Sequence, residues 1–380
     1  MIQYHKIFIG LILFMTLSSC IGDEPLNAEA DILEITLPAE LLSRSPVILN
    51  DSVSVSLRQN VETGNLAPEF TLTPGAVIDP PSGTPRDFST VQYYTVTSED
   101  HKWNKRYAVR ISSDRISLPG GMIEFNFDHA NTLKGYYEFE QKNSNGDILF
   151  NWASGNPGFA LTGKGDTPQA FPTTQSPHGH TGSCVQLKTT YAGSFGASFG
   201  KPIAAGSLFI GVFNTMKALS APVKATEMGM EFPYEPDSLT GWFNYTPGPE
   251  FGIPDKSQSN GIKVVPGRVD QPAIYAVFFE TTPDTPFLTG DNVLSDDNPQ
   301  VISRAILPDS LATSTGGWKE FKLAFEPLNG RKVDPEKLQA GLYSLTFTMS
   351  SSRGGDLFEG AVGSTLLIDD VKLTVKQTQQ

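Results

Sequence analysis

The chain has 380 residues, of which 28 are Lys or Arg and 41 are Asp or Glu, so its formal net charge is −13. An acidic chain without a basic run is not expected to bind nucleic acid, because neutralising phosphates takes clustered Lys and Arg side chains. The 35 Gly and 28 Pro residues exceed their usual share and favour many turns over long helices. Two Cys residues cannot build a disulfide scaffold.

The N-terminus carries the pattern of an export signal. Residues 7–17 form an apolar run that follows Lys6. A helix of this length is too short to cross a bilayer, but it suits the apolar region of a secretory signal. We therefore predict that the chain is exported.

A cysteine follows this apolar run. Ser18 and Ser19 precede Cys20, as in a bacterial lipobox, in which the cysteine is acylated and becomes the first residue of the mature chain. We predict a lipoprotein signal peptide over residues 1–19, lipidation at Cys20 and a tether over residues 20–30. The attached acyl chains would hold the protein at the membrane. An ordinary signal peptide with an incidental cysteine is the alternative.

Residues 31–111 are predicted to form a small β-sandwich. Residues 52–58 alternate polar and apolar side chains, which is the period-two pattern of a half-buried strand. A second alternating stretch places Tyr107, Val109 and Ile111 on one face. Turn sequences rich in Pro and Gly separate the two stretches, as expected for short antiparallel strands.

After a linker over residues 112–121, residues 122–377 are predicted to form a larger β-sandwich. Residues 319–325 and 343–350 alternate, whereas residues 274–279 are apolar enough for a strand that is buried on both faces. No helical period longer than three turns and no alternation of strands with helices is present. The sequence therefore predicts an all-β protein: a small antiparallel β-sandwich followed by a larger β jelly-roll sandwich.

Two neighbouring carboxylates lie in the last predicted strand, at Asp369 and Asp370. Counting by two places Asp369 on the apolar face of Leu367 and Val371. A buried carboxylate is costly without a partner. Either backbone N–H groups satisfy it, or it helps to hold a structural calcium ion together with Asp128 of the first strand. No other cofactor is predicted to be required.

Several aromatic residues are candidates for sugar contacts, because flat rings beside amide and carboxylate groups suit a sugar ring and its hydroxyls. Trp152 and Asn156 lie in a loop with Gly and Pro neighbours. Trp242 and Tyr245 form a second aromatic group, and Trp318 follows two glycines. The alternative is that these side chains pack in the core of a β-sandwich.

Two imidazoles, at His178 and His180, would lie on one side of an extended segment and could form half of a metal site. The mature chain contains only two other His residues, so a transition-metal centre is not expected. Catalytic residues are not assigned, since the many acidic side chains give no distinctive pair and no G-x-S-x-G motif occurs.

Six stretches of the second unit carry a resemblance to a known family: residues 125–128, 151–156, 203–211, 239–245, 350–356 and 360–371. In this order they resemble the carbohydrate metabolism domain of Bacteroidetes lipoproteins, a jelly roll that follows an immunoglobulin-like domain. Residues 70–76, 87–89 and 94–100 likewise resemble an immunoglobulin-like module. This resemblance implies that the small sandwich is an immunoglobulin-like β-sandwich that acts as a spacer. Asp128 departs from the pattern, in which we expect Glu. The resemblance implies a carbohydrate-associated domain more firmly than it implies an activity.

Together these features predict an outer-membrane lipoprotein, exposed at the cell surface, that binds a poly- or oligosaccharide. It would assist glycan capture or degradation beside outer-membrane glycan-uptake proteins and contact the membrane through its N-terminal lipid. Two alternatives remain. One is a glycoside hydrolase that uses acidic residues of the jelly-roll face, and the other is a structural or adhesin protein without a sugar ligand.

Overall fold

The computed structural model describes most of the chain: residues 26–43, 45–48, 51–58, 61–113, 121–142, 146, 148–282 and 284–376. The predicted signal peptide, Cys20 and most of the predicted linker lie outside the described residues. The described end of the predicted tether contacts the smaller unit: the backbone N–H of Asn27 donates to Glu99 Oε2 at 2.8 Å, and Ala30 is buried.

The smaller unit is a sandwich of short strands. They are β1 (Ile32–Thr36), β2 (Val47–Ile48), β3 (Ser52–Leu57), β4 (Glu69–Leu72), β5 (Val77–Asp79), β6 (Gln92–Thr97) and β7 (Asn104–Ser113). One sheet has the order β2-β3-β7-β6-β5, in which β3 and β7 are parallel, and β1 pairs with β4 in the other. The predicted alternation is confirmed, since Val53, Val55, Tyr107, Val109 and Ile111 are all buried in the core of this unit.

The larger unit consists of strands with short helical turns in its loops. Its first strands are β8 (Met122–Phe125), β9 (Ala130–Asn131), β10 (Glu138–Lys142), β11 (Ile148–Asn151), β12 (Ala153–Ser154), β13 (Thr173–Ser176), β14 (Cys184–Lys188), β15 (Thr190–Tyr191), β16 (Ile203–Ala204), β17 (Ser207–Phe209) and β18 (Gly211–Phe213). The later strands are β19 (Thr226–Met228), β20 (Met230–Glu231), β21 (Pro236–Thr246), β22 (Phe251–Pro254), β23 (Ile262–Val264), β24 (Ala273–Glu280), β25 (Val301–Ile306), β26 (Lys319–Ala324), β27 (Glu326–Pro327), β28 (Tyr343–Ser350), β29 (Gly360–Ala361) and β30 (Thr365–Val375).

The helices are short and lie in connections between strands. The α-helices are α1 (Asn156–Ala160), α2 (Gly193–Ser198), α3 (Lys217–Ser220) and α4 (Pro335–Gln339). Single 3-10 turns occur at Ala39–Leu41, Pro168–Ala170, Pro222–Lys224, Leu328–Gly330 and Gly355–Leu357. The predicted all-β fold, a small sandwich followed by a larger one, is confirmed.

Two large sheets face each other in the larger unit. The seven-stranded sheet has the order β12-β17-β28-β24-β25-β27, with β20 also paired to β28. The six-stranded sheet has the order β13-β14-β30-β21-β26, with β8 also paired to β30. Phe278 of the first sheet and Phe243 of the second lie in the core between them. Each fully buried side chain of this size contributes about 1.5–3 kcal/mol to folding.

The seven-stranded sheet is apolar on both of its faces. On β24, Ile274 and Phe278 point into the core between the sheets, whereas Tyr275 and Val277 point outward into a second apolar cluster. Every residue of β24 except the first and the last is buried, as the dense apolar sequence predicts. The outward face of this sheet is therefore covered by loops, whereas the six-stranded sheet presents polar side chains on its outward face.

Candidate functional site

The outward face of the six-stranded sheet carries polar and aromatic side chains at alternating positions. On β21, Leu239 and Phe243 are buried in the core, so Thr240, Trp242 and Asn244 point outward between them and are half-buried. This alternation follows from the period of two along a strand. It places the indole ring of Trp242 on the outside of the sandwich.

A β-bulge in β30 places two carboxylates on the same face. Thr240 pairs with Lys372 but Trp242 pairs with Asp369, so β30 contains one extra residue between these pairs. Asp370 accommodates it with a positive φ of 49°. Because directly opposed residues share a face, Asp369 lies on the outward side with Trp242.

This corrects the prediction that Asp369 shares a face with Val371. Counting by two assumes a regular strand, and the bulge shifts the phase, so that Ile368 and Val371 both point into the core while Asp369 points away from it. The carboxylate is nevertheless fully buried, because the loop before β14 covers it. The backbone N–H of Thr181 donates to its Oδ2 at 2.9 Å and that of Asp370 donates to its Oδ1 at 2.8 Å. Burial is the larger effect and raises the pKa of Asp369 to about 6.

The same loop brings a histidine onto the tryptophan. The imidazole of His180 stacks on Trp242, with ring centroids 4.1 Å apart and planes inclined by 10°. His180 Nδ1 lies 2.7 Å from Asp370 Oδ2, and Trp318 approaches the imidazole edge-on at 5.9 Å. We refer to His180, Trp242, Trp318 and Asp370 as the aromatic–acid patch.

A depression of about 360 Å³ adjoins the patch. It is lined in part by Trp242 and Asp370 of the patch, together with Glu124, Glu320 and Lys372. Lys372 Nζ lies 2.8 Å from Glu124 Oε1, and this bond raises the pKa of the lysine. The depression therefore offers hydrogen-bond acceptors and a donor beside an aromatic ring.

The prediction that Trp152 contacts a sugar is wrong. The structure buries it to 6% exposure in the core between the two large sheets. Its ring contacts Phe125 at 5.3 Å, Phe127 at 5.5 Å and Phe347 at 5.8 Å between centroids. Because protein side chains cover the ring, it cannot stack on a ligand, and its function is packing.

Asn156 and Tyr245 are also buried. Asn156 Nδ2 donates to the carbonyl of Thr173 at 2.8 Å, and the N–H of Thr173 donates to Asn156 Oδ1 at 3.1 Å, so this amide joins the start of α1 to β13. Tyr245 is one of the residues of β21 that point into the core, and burial raises the pKa of its hydroxyl. Neither side chain is available to a ligand, which corrects both predictions.

The structure brings together Trp242 and Trp318, which are distant in the sequence. Two members of the patch escaped prediction as sugar contacts: His180, which was considered as a metal ligand, and Asp370, whose orientation depends on the bulge. The only sequence signal for them is the pair of carboxylates in the last strand and the histidine in a Gly-rich loop.

The calcium ion predicted at Asp128 and Asp369 would bind through their carboxylate oxygens. Asp128 Oδ1 accepts the N–H of Ser183 at 3.1 Å, and both oxygens of Asp369 accept N–H groups. Among the described residues there is no group of three or more His, Cys, Asp or Glu side chains suited to a metal ion. Three of the four carboxylate oxygens thus already accept an N–H group, and the calcium ion stays a prediction.

Fold and patch together define a two-unit, all-β protein with an open aromatic and acidic face on its larger sandwich. Residues 126–374 match the family described as "Putative carbohydrate metabolism domain", and the chain belongs to this family. Residues 47–111 match the model described as "SGBP, N-terminal". The resemblance found in the sequence is thereby confirmed, and the chain is associated with carbohydrates.

Two crystal structures are similar to this chain. One, described as a putative glycoside hydrolase from Bacteroides thetaiotaomicron, is 41% identical with a TM-score of 0.82, over 94% of this chain and 99% of that one. The other, described as a putative glycoside hydrolase from Bacteroides vulgatus, is 41% identical with a TM-score of 0.59, over 67% of this chain and 98% of that one. No curated protein matches the chain.

No helix in the described part of the chain combines the length and the apolar character needed to cross a bilayer.

Proposed function

We propose that this protein binds a glycan through the aromatic–acid patch and the depression beside it. The observation that carries the proposal is the stack of His180 on Trp242, next to Trp318 and the carboxylate of Asp370. These half-buried aromatic rings and hydrogen-bonding groups lie on the outward face of a protein that belongs to a carbohydrate-associated family.

The chemistry of a sugar matches this arrangement. The C–H groups on one face of a pyranose ring pack against an aromatic ring. His180 stacks on one face of Trp242, so a sugar would contact the part of the indole that lines the depression. Sugar hydroxyls donate to carboxylates, which Asp370 and Glu320 supply, and accept from an ammonium group, which Lys372 supplies. Binding would therefore combine stacking with charge-assisted hydrogen bonds.

Replacing the central ring tests the proposal. We expect Trp242→Ala to weaken binding of a glycan identified on an array by about 30-fold, because loss of a central aromatic anchor costs about 2 kcal/mol. Isothermal titration calorimetry measures the change. Trp103→Ala is the matched control, since Trp103 is 62% exposed and lies in the smaller unit.

Unchanged affinity in Trp242→Ala would place the glycan elsewhere. If no glycan on the array binds and a protein partner is captured from outer membranes instead, the structural or adhesin function replaces this proposal.

Hydrolysis at the same depression is the second candidate function. Glycosidases use two carboxyl groups on either side of the scissile bond, and Glu124, Glu320 and Asp370 all line the depression. The two similar crystal structures are described as putative glycoside hydrolases. Release of reducing sugar from a polysaccharide panel, abolished by Glu320→Gln, would establish hydrolysis, whereas binding without release supports a binding protein.

We also propose that Cys20 is acylated and anchors the protein in the outer membrane, at the cell surface and beside glycan-uptake proteins. The match of residues 47–111 to the N-terminal domain of surface glycan-binding proteins supports this placement. Incorporation of labelled palmitate that is lost in Cys20→Ala, and digestion of the protein by protease added to intact cells, are the expected results. An unlabelled protein in the soluble fraction would contradict them.

A further inference from the structure

A second cavity lies on the opposite side of the larger unit, against the outward face of the seven-stranded sheet. Its volume is about 260 Å³. Tyr275 of β24 and Thr348 of β28 belong to its floor, and Phe159 of α1 and Phe213 of β18 to its walls. We refer to this cavity as the apolar cleft.

The cleft opens between apolar side chains that are exposed to solvent. Phe195 and Phe199 of the α2 region are 42% and 50% exposed and contact each other with ring centroids 4.9 Å apart. Leu161 and Leu294, which also line the cleft, are 42% and 41% exposed. Exposed apolar side chains that converge on one cavity mark a binding site more often than scattered ones do.

The charged groups at the cleft do not favour a charged ligand. Lys201 Nζ donates to the carbonyl of Ala218 at 2.9 Å, and Arg353 pairs with Asp309 at 2.6 Å. Burial lowers the pKa of Lys201, and desolvation raises the pKa of Asp356, the one acidic residue among the described residues that line the cleft. The surroundings thus penalise charge of either sign.

We propose that the apolar cleft binds an uncharged aromatic group of one or two rings. The walls offer ring faces and edges, which favour aromatic over aliphatic partners. The volume also suits such a group, because a cavity of about 150 Å³ lined by apolar side chains already accepts benzene. A single carboxylate in the lining does not supply the carboxyl pair of a two-carboxylate glycosidase.

Fluorescence titration with N-phenyl-1-naphthylamine, an uncharged aromatic probe, tests the site on the full mature chain. We expect saturable binding at one site and at least tenfold weaker binding in Ala273→Leu. Ala273 is half-buried and lines the cleft, so a larger side chain there fills the cavity. Ala324→Leu makes the same change at an exposed position of the six-stranded sheet and should bind the probe like the wild type.

A second variant tests the cleft independently, in case Ala273→Leu does not fold. Phe199→Ser alters an exposed rim residue and should weaken probe binding several-fold without changing the melting temperature. Equal binding by the wild type and both cleft variants would overturn the proposal.

Competition distinguishes the class of ligand. Benzyl alcohol should displace the probe at lower concentration than cyclohexylmethanol of similar size, and the reverse order would overturn the aromatic assignment. Because the cleft and the patch lie on different sheets, Ala273→Leu should leave glycan affinity unchanged. Probe binding tests the cleft and glycan binding tests the patch, so each proposal can fail independently of the other.

Discussion

The two outward faces of the larger sandwich are built on similar strands but differ in what covers them. The six-stranded sheet has polar alternate positions and is covered locally by one loop, which places His180 on Trp242. The seven-stranded sheet has apolar side chains on both faces, so helices and long loops cover it and leave the apolar cleft between them. The polarity of the alternate residues thus decides whether the outward face of a sheet is polar and accessible or apolar and covered by loops.

The core that separates the two faces should be far more sensitive to substitution than either face. Trp152→Ala removes a ring packed among phenylalanines and should lower the free energy of unfolding by about 3–5 kcal/mol. Trp242→Ala, at a half-buried surface position, should cost less than about 1 kcal/mol. Urea denaturation measures both, and equal losses would mean that Trp242 is as much a core residue as Trp152.

The buried carboxylate beneath the patch should make the stability of that face depend on pH. The folded pKa of Asp369 is about 6, above its value of 3.8 in an unfolded chain, so the folded state holds the proton more tightly. Protonation of Asp369 therefore adds to the free energy of unfolding as the pH falls through 6, and the gain is complete below about 4. The gain amounts to about 2–3 kcal/mol.

Urea titrations of wild type and Asp369→Asn between pH 7.5 and 5 measure this effect, and the wild type should gain stability relative to the variant as the pH falls. Asp284→Asn makes the same change at an exposed position and is the control for the substitution itself. A constant difference for Asp369→Asn would show that the Asp369 pKa is not raised.

The smallest expected effect is at the edge of the depression. Lys372→Ala should weaken glycan binding about three- to tenfold, because it removes one hydrogen-bond donor and leaves Glu124 without its ion-pair partner. Lys188→Ala is the matched control, since Lys188 is an exposed lysine of β14 in the same sheet. Calorimetry at two salt concentrations would show whether the loss is electrostatic.

The fold was largely predictable, because it follows from local patterns. Alternation identified the buried faces of β3 and β7, and the dense apolar stretch at 274–279 identified a strand buried on both sides. These patterns depend only on the period of a strand and on side-chain polarity, which the sequence displays directly.

The site was predictable only in part, because it depends on features that leave no local trace. Trp152 and Trp242 are both tryptophans near glycines, and only the packing of distant strands puts one in the core and the other outside. The bulge at Asp370 places Asp369 on the opposite face of the sheet from the one expected. The sequence of the strand contains no pattern that predicts the extra residue. His180 reaches the patch through a loop whose course is fixed by tertiary contacts.

The position of β30 in the chain has a consequence for biogenesis. This strand lies between β14 and β21 in the six-stranded sheet and also pairs with β8, yet it is the last of these strands to leave the ribosome. The sheet therefore cannot close until synthesis is nearly complete, and pairings across so long a separation form slowly. A nascent chain that stays open in this way is well suited to translocation before it folds.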